Sequence, residues 1–143
     1  MVPDGEDLIC HNDLAPWNLI RDGDRWVFID WDGAAPGTRL WDLAYAVVTF
    51  PPITPDCDSV EAAQRMGAIL DGYRLQKRYH GELIQLVVHR ARAMYELLVT
   101  SSKAGTQPWA RLYAEGHADY WGPTADYIEA HRVELAESLE SIR

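Results

Sequence analysis

The first third of the sequence carries a cluster of side chains whose types and spacing suit phosphoryl transfer. His11, Asp13 and Asn18 follow the pattern His-x-Asp-x4-Asn. Asp30 comes twelve positions after Asn18, and Asp32 lies just beyond it. Phosphoryl transfer needs a carboxylate that orients and deprotonates the attacking hydroxyl, and oxygen ligands for the Mg²⁺ ion that shields the phosphate charge. The pattern therefore predicts a site of phosphoryl transfer.

A β-hairpin is the element that must bring these side chains together. The runs NLI at 18–20 and RWVFID at 25–30 are typical of strands, and the Asp-Gly pair between them favours a tight turn. Because a hairpin places its two ends side by side, we expect Asn18 and Asp30 to lie close enough to share a metal ion.

Most of the remaining chain has the apolar periodicity of helices. The stretch 32–39 contains two glycines and a proline and is predicted to be a loop. A first helix is predicted from near Leu40 to before Pro51, and a second from a cap at Asp58 or Ser59 to about Tyr73. A third is predicted over about 80–103, with Gly105 just after its end. Two more are predicted over 107–121 and 123–141, on either side of Gly122-Pro123. The sequence thus predicts an α+β fold, predominantly helical, with a small β-hairpin and four to five helices.

Three segments of the chain carry a more specific pattern. They are His11-Asn12-Asp13-Leu14-Ala15-Pro16-Trp17-Asn18, then Ile29-Asp30-Trp31-Asp32, then Trp41-Asp42-Leu43-Ala44. Their order and spacing resemble the catalytic signature of the aminoglycoside phosphotransferase and choline kinase superfamily, relatives of the protein kinases. Ala15 and Trp17 stand where this family frequently has His and Gly, which indicates a distinct subfamily.

The resemblance implies a fold, a reaction and a role for each matching residue. It implies a protein-kinase-like C-terminal lobe that phosphorylates a small-molecule hydroxyl, with ATP as donor and Mg²⁺ as cofactor. Asp13 would be the catalytic base, with His11 orienting the catalytic loop. Asn18 and Asp30 would bind the ATP phosphates through Mg²⁺. Asp32 would be a further metal ligand, or it would contact the metal ligands without binding the metal itself.

Several of these side chains also have a structural interpretation. Asp22, Asp24 and Asp32 occupy turn positions, where Asp is common. His11 is expected to be a structural histidine rather than a base. Asp42 would fix the catalytic loop from a helix start according to the resemblance, or would only cap that helix.

One domain is expected over residues 1–143, with the catalytic loop and metal-binding hairpin at 8–32 and a helical, substrate-side region at 39–141. Only about ten residues precede His11, too few for the glycine-rich loop and strand lysine of a kinase. The N-terminal lobe that grips ATP is therefore predicted to be absent, and ATP binding and catalysis by this chain alone are predicted to be weak or lost.

A C-terminal lobe without its N-terminal partner would leave apolar surface uncovered, so we expect a homodimer or a higher oligomer. Two alternatives stay open: a catalytically silent binding or assembly module, and half of a split kinase that a partner chain completes. Either would keep the same helical surface.

Charge and composition exclude other classes of protein. A formal charge of −9 opposes nucleic-acid binding and favours a cationic acceptor. No apolar run is long enough to span a membrane, and residues 1–13 lack the pattern of a secretory signal, so a cytoplasmic protein is predicted. Cys10 and Cys57 are predicted to be reduced and structural.

The helical region supplies candidate contacts for the acceptor. Acidic side chains could meet a cation, and aromatic side chains could wall a ring pocket, although solvated helix faces and core packing explain such residues more often. The acidic set is Glu82, Glu96, Glu115, Asp119, Asp126 and Glu129, and the aromatic set is Trp109, Tyr113, Tyr120, Trp121 and Tyr127.

Overall fold

The computed structural model describes residues 8–142, where four short strands and six α-helices form an α+β fold dominated by helices. The predicted α+β class, predominantly helical, is confirmed, but the predicted number of four to five helices is too low. The expectation about a secretory signal falls mostly on residues outside this range. The helices are α1 Arg39–Thr49, α2 Ser59–Tyr73, α3 His80–Ala104, α4 Trp109–Ala114, α5 Ala118–Ala130 and α6 Arg132–Ser141.

The strands form two separate antiparallel pairs. The predicted hairpin is confirmed: β2 (Leu19–Asp22) pairs with β3 (Arg25–Phe28). The prediction of a loop over 32–39 is wrong in part, because β4 (Ala35–Gly37) pairs with β1 (Leu8–Cys10). Pro36 is tolerated in β4 since a two-stranded sheet has only edge strands, in which a residue without an N–H can face outward.

The first three helices begin and end where the sequence predicts, for local chemical reasons. The Thr38 side chain caps α1 by accepting the Trp41 N–H, and the Asp58 side chain caps α2. Gly105 ends α3 in the left-handed conformation, with φ of 68°. Arg74 ends α2 in the same conformation without being a glycine.

The predicted division of the tail into two helices at Gly122-Pro123 is wrong. The tail forms three helices, and Pro123 lies inside α5. Gly122 faces the Tyr95 ring of α3, where an added Cβ would lie 3.1 Å from the ring carbons. This close packing of α5 on α3 outweighs the backbone hydrogen bond that proline removes. The break falls instead at Gly116, whose φ of 90° suits glycine.

Helix α3 is the centre of the core and contacts α1, α4, α5 and α6. Its buried side chains include Leu83, Val87, Ala91 and Leu98. Helix α2 packs on α1 and α6. None of the helices within residues 8–142 is long and apolar enough to cross a membrane. Within the described residues, Cys10 and Cys57 do not form a disulfide.

One face of α5 holds the proline-rich loop that follows α1. Thr124 Oγ1 donates to the Ile53 carbonyl at 3.0 Å, and the Ile53 N–H donates to the Tyr120 hydroxyl at 3.3 Å. The Tyr127 hydroxyl donates to the Cys57 carbonyl at 2.6 Å. Two members of the predicted aromatic set thus bind backbone groups of this loop.

Candidate active site

The segment His11–Asn18 is anchored to the first turn of α1 by Asp42. One carboxylate oxygen of Asp42 accepts the backbone N–H of His11 at 2.7 Å, and the other accepts that of Asn12 at 2.8 Å. Asp42 therefore fixes this loop, as the resemblance implied. The alternative that it only caps its helix is wrong, because Thr38 is the cap.

His11 is buried beneath the loop with both ring nitrogens engaged. Its Nε2 lies 2.9 Å from the Ile29 carbonyl oxygen, which can only accept, so Nε2 carries the hydrogen. Its Nδ1 accepts the Asp13 N–H at 3.2 Å. The ring also contacts Phe28 and Trp31. Since both ring nitrogens make hydrogen bonds to the loop and the hairpin, the geometry suits an orienting role for His11.

Asp13 and Asn18 are in direct contact. The Asn18 side-chain nitrogen donates to Asp13 Oδ2 at 2.7 Å and to the Asp13 carbonyl at 3.0 Å. The indole N–H of Trp17 also donates to Oδ2, at 3.3 Å. Asn18 is buried, because the 3-10 turn Pro16–Asn18 turns it inward. Local structure thus holds the Asp13 carboxylate in one orientation.

The hairpin brings Asp30 to the same place. The Ile29 N–H donates to the Asn18 carbonyl at 2.9 Å, which extends the strand pairing up to the residue before Asp30. Asp30 has a left-handed backbone, with φ of 63°. Non-glycine residues in this conformation are uncommon and concentrate at functional sites. Asp13 and Asp30 line one cleft, whereas Asp32 is exposed and lies outside that lining.

The oxygen atoms available for a metal ion are few. Within residues 8–142 no group of three or more His, Cys, Asp or Glu side chains could hold a metal ion. Asp30 offers a carboxylate, and Asn18 offers its amide oxygen, because its nitrogen makes the two bonds to Asp13. Mg²⁺ is commonly held by one or two protein ligands together with water and substrate phosphates. Of these two residues only Asp30 lines the cleft, so water and a nucleotide would have to supply most of the ligands of a Mg²⁺ ion there.

A cleft of about 330 Å³ opens beside the two carboxylates, and most of its wall is apolar. Trp109 and Trp121 of the predicted aromatic set line it, but none of the six predicted acidic residues does. His117 also lines the cleft and was not predicted from the sequence. The remaining lining residues are Trp17, Tyr45, Met94, Leu98, Pro108 and Leu112.

Two further residues at the site were not predicted. Tyr45 of α1 is buried, lines the cleft and stacks on Trp121 with ring centres 5.2 Å apart. Burial, and next the charge of the Asp13 carboxylate, raise the pKa of Tyr45. Arg90 of α3 is buried and donates to the Asn12 carbonyl. The sequence could have indicated that Arg90 is unusual, because this charged residue lies one turn from Val87 and Met94 on the apolar face of α3.

The contact of Asp13 with Asn18, Asp30 at the end of the hairpin and the apolar cleft beside them agree with the phosphotransferase family that the sequence resembles. Comparison with known proteins reaches the same family. The sequence model of the "Phosphotransferase enzyme family" matches residues 1–78, more than half of the chain. The chain belongs to this family.

Two curated proteins are similar to this chain. The "Trifolitoxin immunity protein" of Rhizobium leguminosarum bv. trifolii is 30% identical over 126 residues, covering 75% of this chain and 47% of that protein. The "Protein LicA homolog" of Mycoplasma capricolum subsp. capricolum is 36% identical over 50 residues, covering 35% of this chain and 21% of that protein. The chain thus spans less than half the length of these relatives. No solved structure matches it significantly.

Proposed function

We propose that this chain is the C-terminal, protein-kinase-like lobe of a small-molecule kinase that transfers a phosphoryl group from ATP to an alcohol hydroxyl. One observation carries the proposal: Asp13 is fixed by Asn18 at 2.7 Å and lines the same cleft as Asp30. Membership in a phosphotransferase family supports the type of reaction.

Asp13 would act as the catalytic base. Asn18 and Trp17 both donate to Oδ2, so Oδ1 is the oxygen that would accept the proton of the acceptor hydroxyl. The buried His11 would keep the loop in place through its bonds to Ile29 and Asp13. Asp13 would then present one defined oxygen to the cleft.

Asp30 and the Asn18 amide oxygen would hold Mg²⁺ with the nucleotide, and Asp32 is a more distant candidate ligand. When bound, Mg²⁺ would shield the charge of the transferred phosphoryl group. We expect weak binding of ATP by this chain alone. Neither Lys77 nor Lys103 lines the cleft. Lys77 donates instead to the Glu140 and Ile142 carbonyls, and Lys103 lies in the last turn of α3.

The cleft supports an acceptor with an apolar or ring-shaped body. The indole rings of Trp109 and Trp121 could contact such a body while its hydroxyl reaches Asp13. A cationic acceptor, expected from the net charge, would have to be neutralised by Asp13 or Asp30, because the six predicted acidic residues lie elsewhere. We further propose that the protein acts in the cytoplasm.

Phosphate transfer from labelled ATP with Mg²⁺ to a panel of alcohols tests the proposal. Asp13→Asn is expected to lower the rate by about 100-fold or more, the usual contribution of a general base. Asp24→Asn, in the exposed hairpin turn, is the matched control and should keep the wild-type rate. Equal rates in the two variants would remove Asp13 from the mechanism.

Asp30→Asn tests the nucleotide site without turnover. Asparagine tolerates the left-handed conformation of Asp30, so the change removes charge without imposing strain. Calorimetry should show Mg²⁺-ATP binding weakened in Asp30→Asn and retained in Asp24→Asn, in the exposed hairpin turn. A wild-type chain that binds no nucleotide would favour a kinase completed by a partner chain, which co-purification can identify.

A binding role is the second candidate function. One relative is named for immunity to trifolitoxin and not for a kinase reaction. In that case the cleft would bind a small molecule without transferring phosphate to it. Binding of an apolar ligand that is lost in Trp109→Ala, together with no transfer even with a nucleotide-binding partner present, would favour this role.

A further inference from the structure

Asn12 is the most constrained residue of the catalytic loop. It has a left-handed backbone, with φ of 66°. Its N–H donates to Asp42 Oδ1 at 2.8 Å, and its side chain donates to the Gly33 carbonyl at 2.8 Å. Its own carbonyl accepts a hydrogen bond from Arg90 Nη2. Because Asp13 is the next residue, these bonds set the direction in which its carboxylate leaves the loop.

Arg90 reaches this carbonyl from the core, across 78 positions of sequence. Its guanidinium lies between two aromatic rings, 4.9 Å from the centre of Trp41 and 4.5 Å from that of Tyr45. The residue is only 8% exposed. Cation–π contacts of this kind partly replace the hydration that a buried cation loses.

The energetics of Arg90 are unfavourable for a purely structural residue. Its Nε is buried without a hydrogen-bond partner among residues 8–142, and none of the ion pairs in that range includes it. Burial lowers the pKa of Arg90, although the nearby Tyr45, Asp13 and Asp42 partly offset this. Apolar residues of similar volume often replace buried charges with no loss of stability. Stability of the core therefore does not explain an arginine here.

We propose that Arg90 is a positioning residue that holds the Asn12 peptide in its left-handed conformation and thereby aims Asp13 into the cleft. The inference rests on the proposed function of Asp13. Asp42 fixes the N–H side of Asn12 and Arg90 fixes the carbonyl side, so the peptide before and the peptide after Asn12 are both held.

Hydrogen exchange of single amides tests this role without any turnover. Arg90→Met keeps the length of the side chain and removes the donor and the charge. We expect exchange at Asn12 and Asp13 to become about tenfold faster, as the loss of one hydrogen bond implies, while Met66 and Leu70 in α2 stay unchanged. Arg92→Met, on the exposed face of the same helix, is the matched control and should change neither set.

Arg90→Lys separates positioning from simple packing. Lysine retains one donor and the charge, so it should recover most of the protection that Arg90→Met loses, whereas a packing role would make Met and Lys equivalent. Equal exchange in wild type and Arg90→Met, or a uniform change across all amides, overturns the proposal. Should Arg90→Met not fold, Arg90→Leu gives the same comparison, because it also removes the donor and the charge.

Turnover adds a second readout where phosphate transfer is measurable. Arg90→Met should lower kcat by about tenfold, in line with the loss of one hydrogen bond, and leave KM for ATP unchanged, because the nucleotide contacts are not altered. The exchange result stands even if no transfer is found, so failure of the positioning role and failure of the kinase function can be distinguished.

Discussion

The Asp42 carboxylate accepts the backbone N–H of Asn12 at 2.8 Å, although 30 positions of sequence separate the two residues. The same carboxylate accepts the N–H of His11. One side chain at the start of α1 thus ties the helical region to the loop that carries Asp13. This contact also determines how the site responds to mutation.

Replacing Asp42 by alanine should lower both stability and any transferase activity. Two backbone N–H groups lose a charged acceptor, which implies a loss of about 2–3 kcal/mol in the free energy of unfolding. Urea denaturation measures it. Asp32→Ala, at an exposed position, should change that free energy by less than about 0.5 kcal/mol. Similar losses in both variants would contradict the anchoring role.

The contrast between Asp42 and Arg90 shows what the sequence can predict. Asp42 belongs to a short local pattern, and so do His11, Asp13 and Asn18, whose contacts are set within one hairpin. Arg90 touches the same loop only because α3 packs behind it. A single charge on an apolar helix face signals an unusual environment, but its partner depends on tertiary packing that no local spacing encodes.

The errors in the fold have the same origin. The pairing of β1 with β4 joins residues 25–29 positions apart along the chain, and neither strand has enough residues for a clear alternation. The helix α5 continues through Pro123 because of its contact with α3. Local signals placed the hairpin, the starts of α1 and α2 and the end of α3 correctly, since caps and glycines act within a single turn.

Acid should destabilise the protein through His80. This residue is buried, and burial, followed by Lys77, lowers its pKa, although the backbone of Leu75 and the charges of Asp71 and Glu140 oppose the shift. The unfolded chain therefore binds the proton first. Stability should be full above the unfolded pKa of about 6.5 and should fall as the pH drops below it.

Urea unfolding at neutral and mildly acidic pH checks the role of His80. His80→Leu should lose less stability on acidification than the wild type. His89→Leu, at an exposed position of the same helix, should lose as much as the wild type. If His80→Leu keeps the full acid sensitivity, another group is responsible for it.

Two glycines should respond in opposite ways to alanine. A Cβ at Gly37 would lie 3.0 Å from Cys10 Sγ, so Gly37→Ala should destabilise the β1–β4 pair by about 1–2 kcal/mol. Adding Cys10→Ala should recover part of that loss, because it removes the opposing sulfur.

Gly72 has open space around it in α2, and Gly72→Ala should stabilise the protein by about 0.5–1 kcal/mol. Thermal or urea unfolding measures the change in stability caused by each glycine substitution.

The outer side of the hairpin should mediate self-association. Ile20 and Val27 are directly paired across β2 and β3 and are 50% and 44% exposed, and Ile9 is 59% exposed. Light scattering coupled to size exclusion should therefore report a dimer or a larger oligomer. Ile20→Lys should shift it toward the monomer, whereas Val133→Lys, on α6, should not. A wild type that stays monomeric at high concentration would refute this prediction.

The hydroxyl groups of Tyr120, Thr124 and Tyr127 bind the loop after α1 through its main chain. Nearly every amino acid offers the same main-chain groups, so the course of this loop is specified by α5 and depends little on the loop's own side chains. Apart from the buried Ile53, Cys57, which packs against the core, and Asp58, which caps α2, residues of this loop are free to diverge during evolution or to be exchanged in design, while the helical scaffold beneath them keeps its shape.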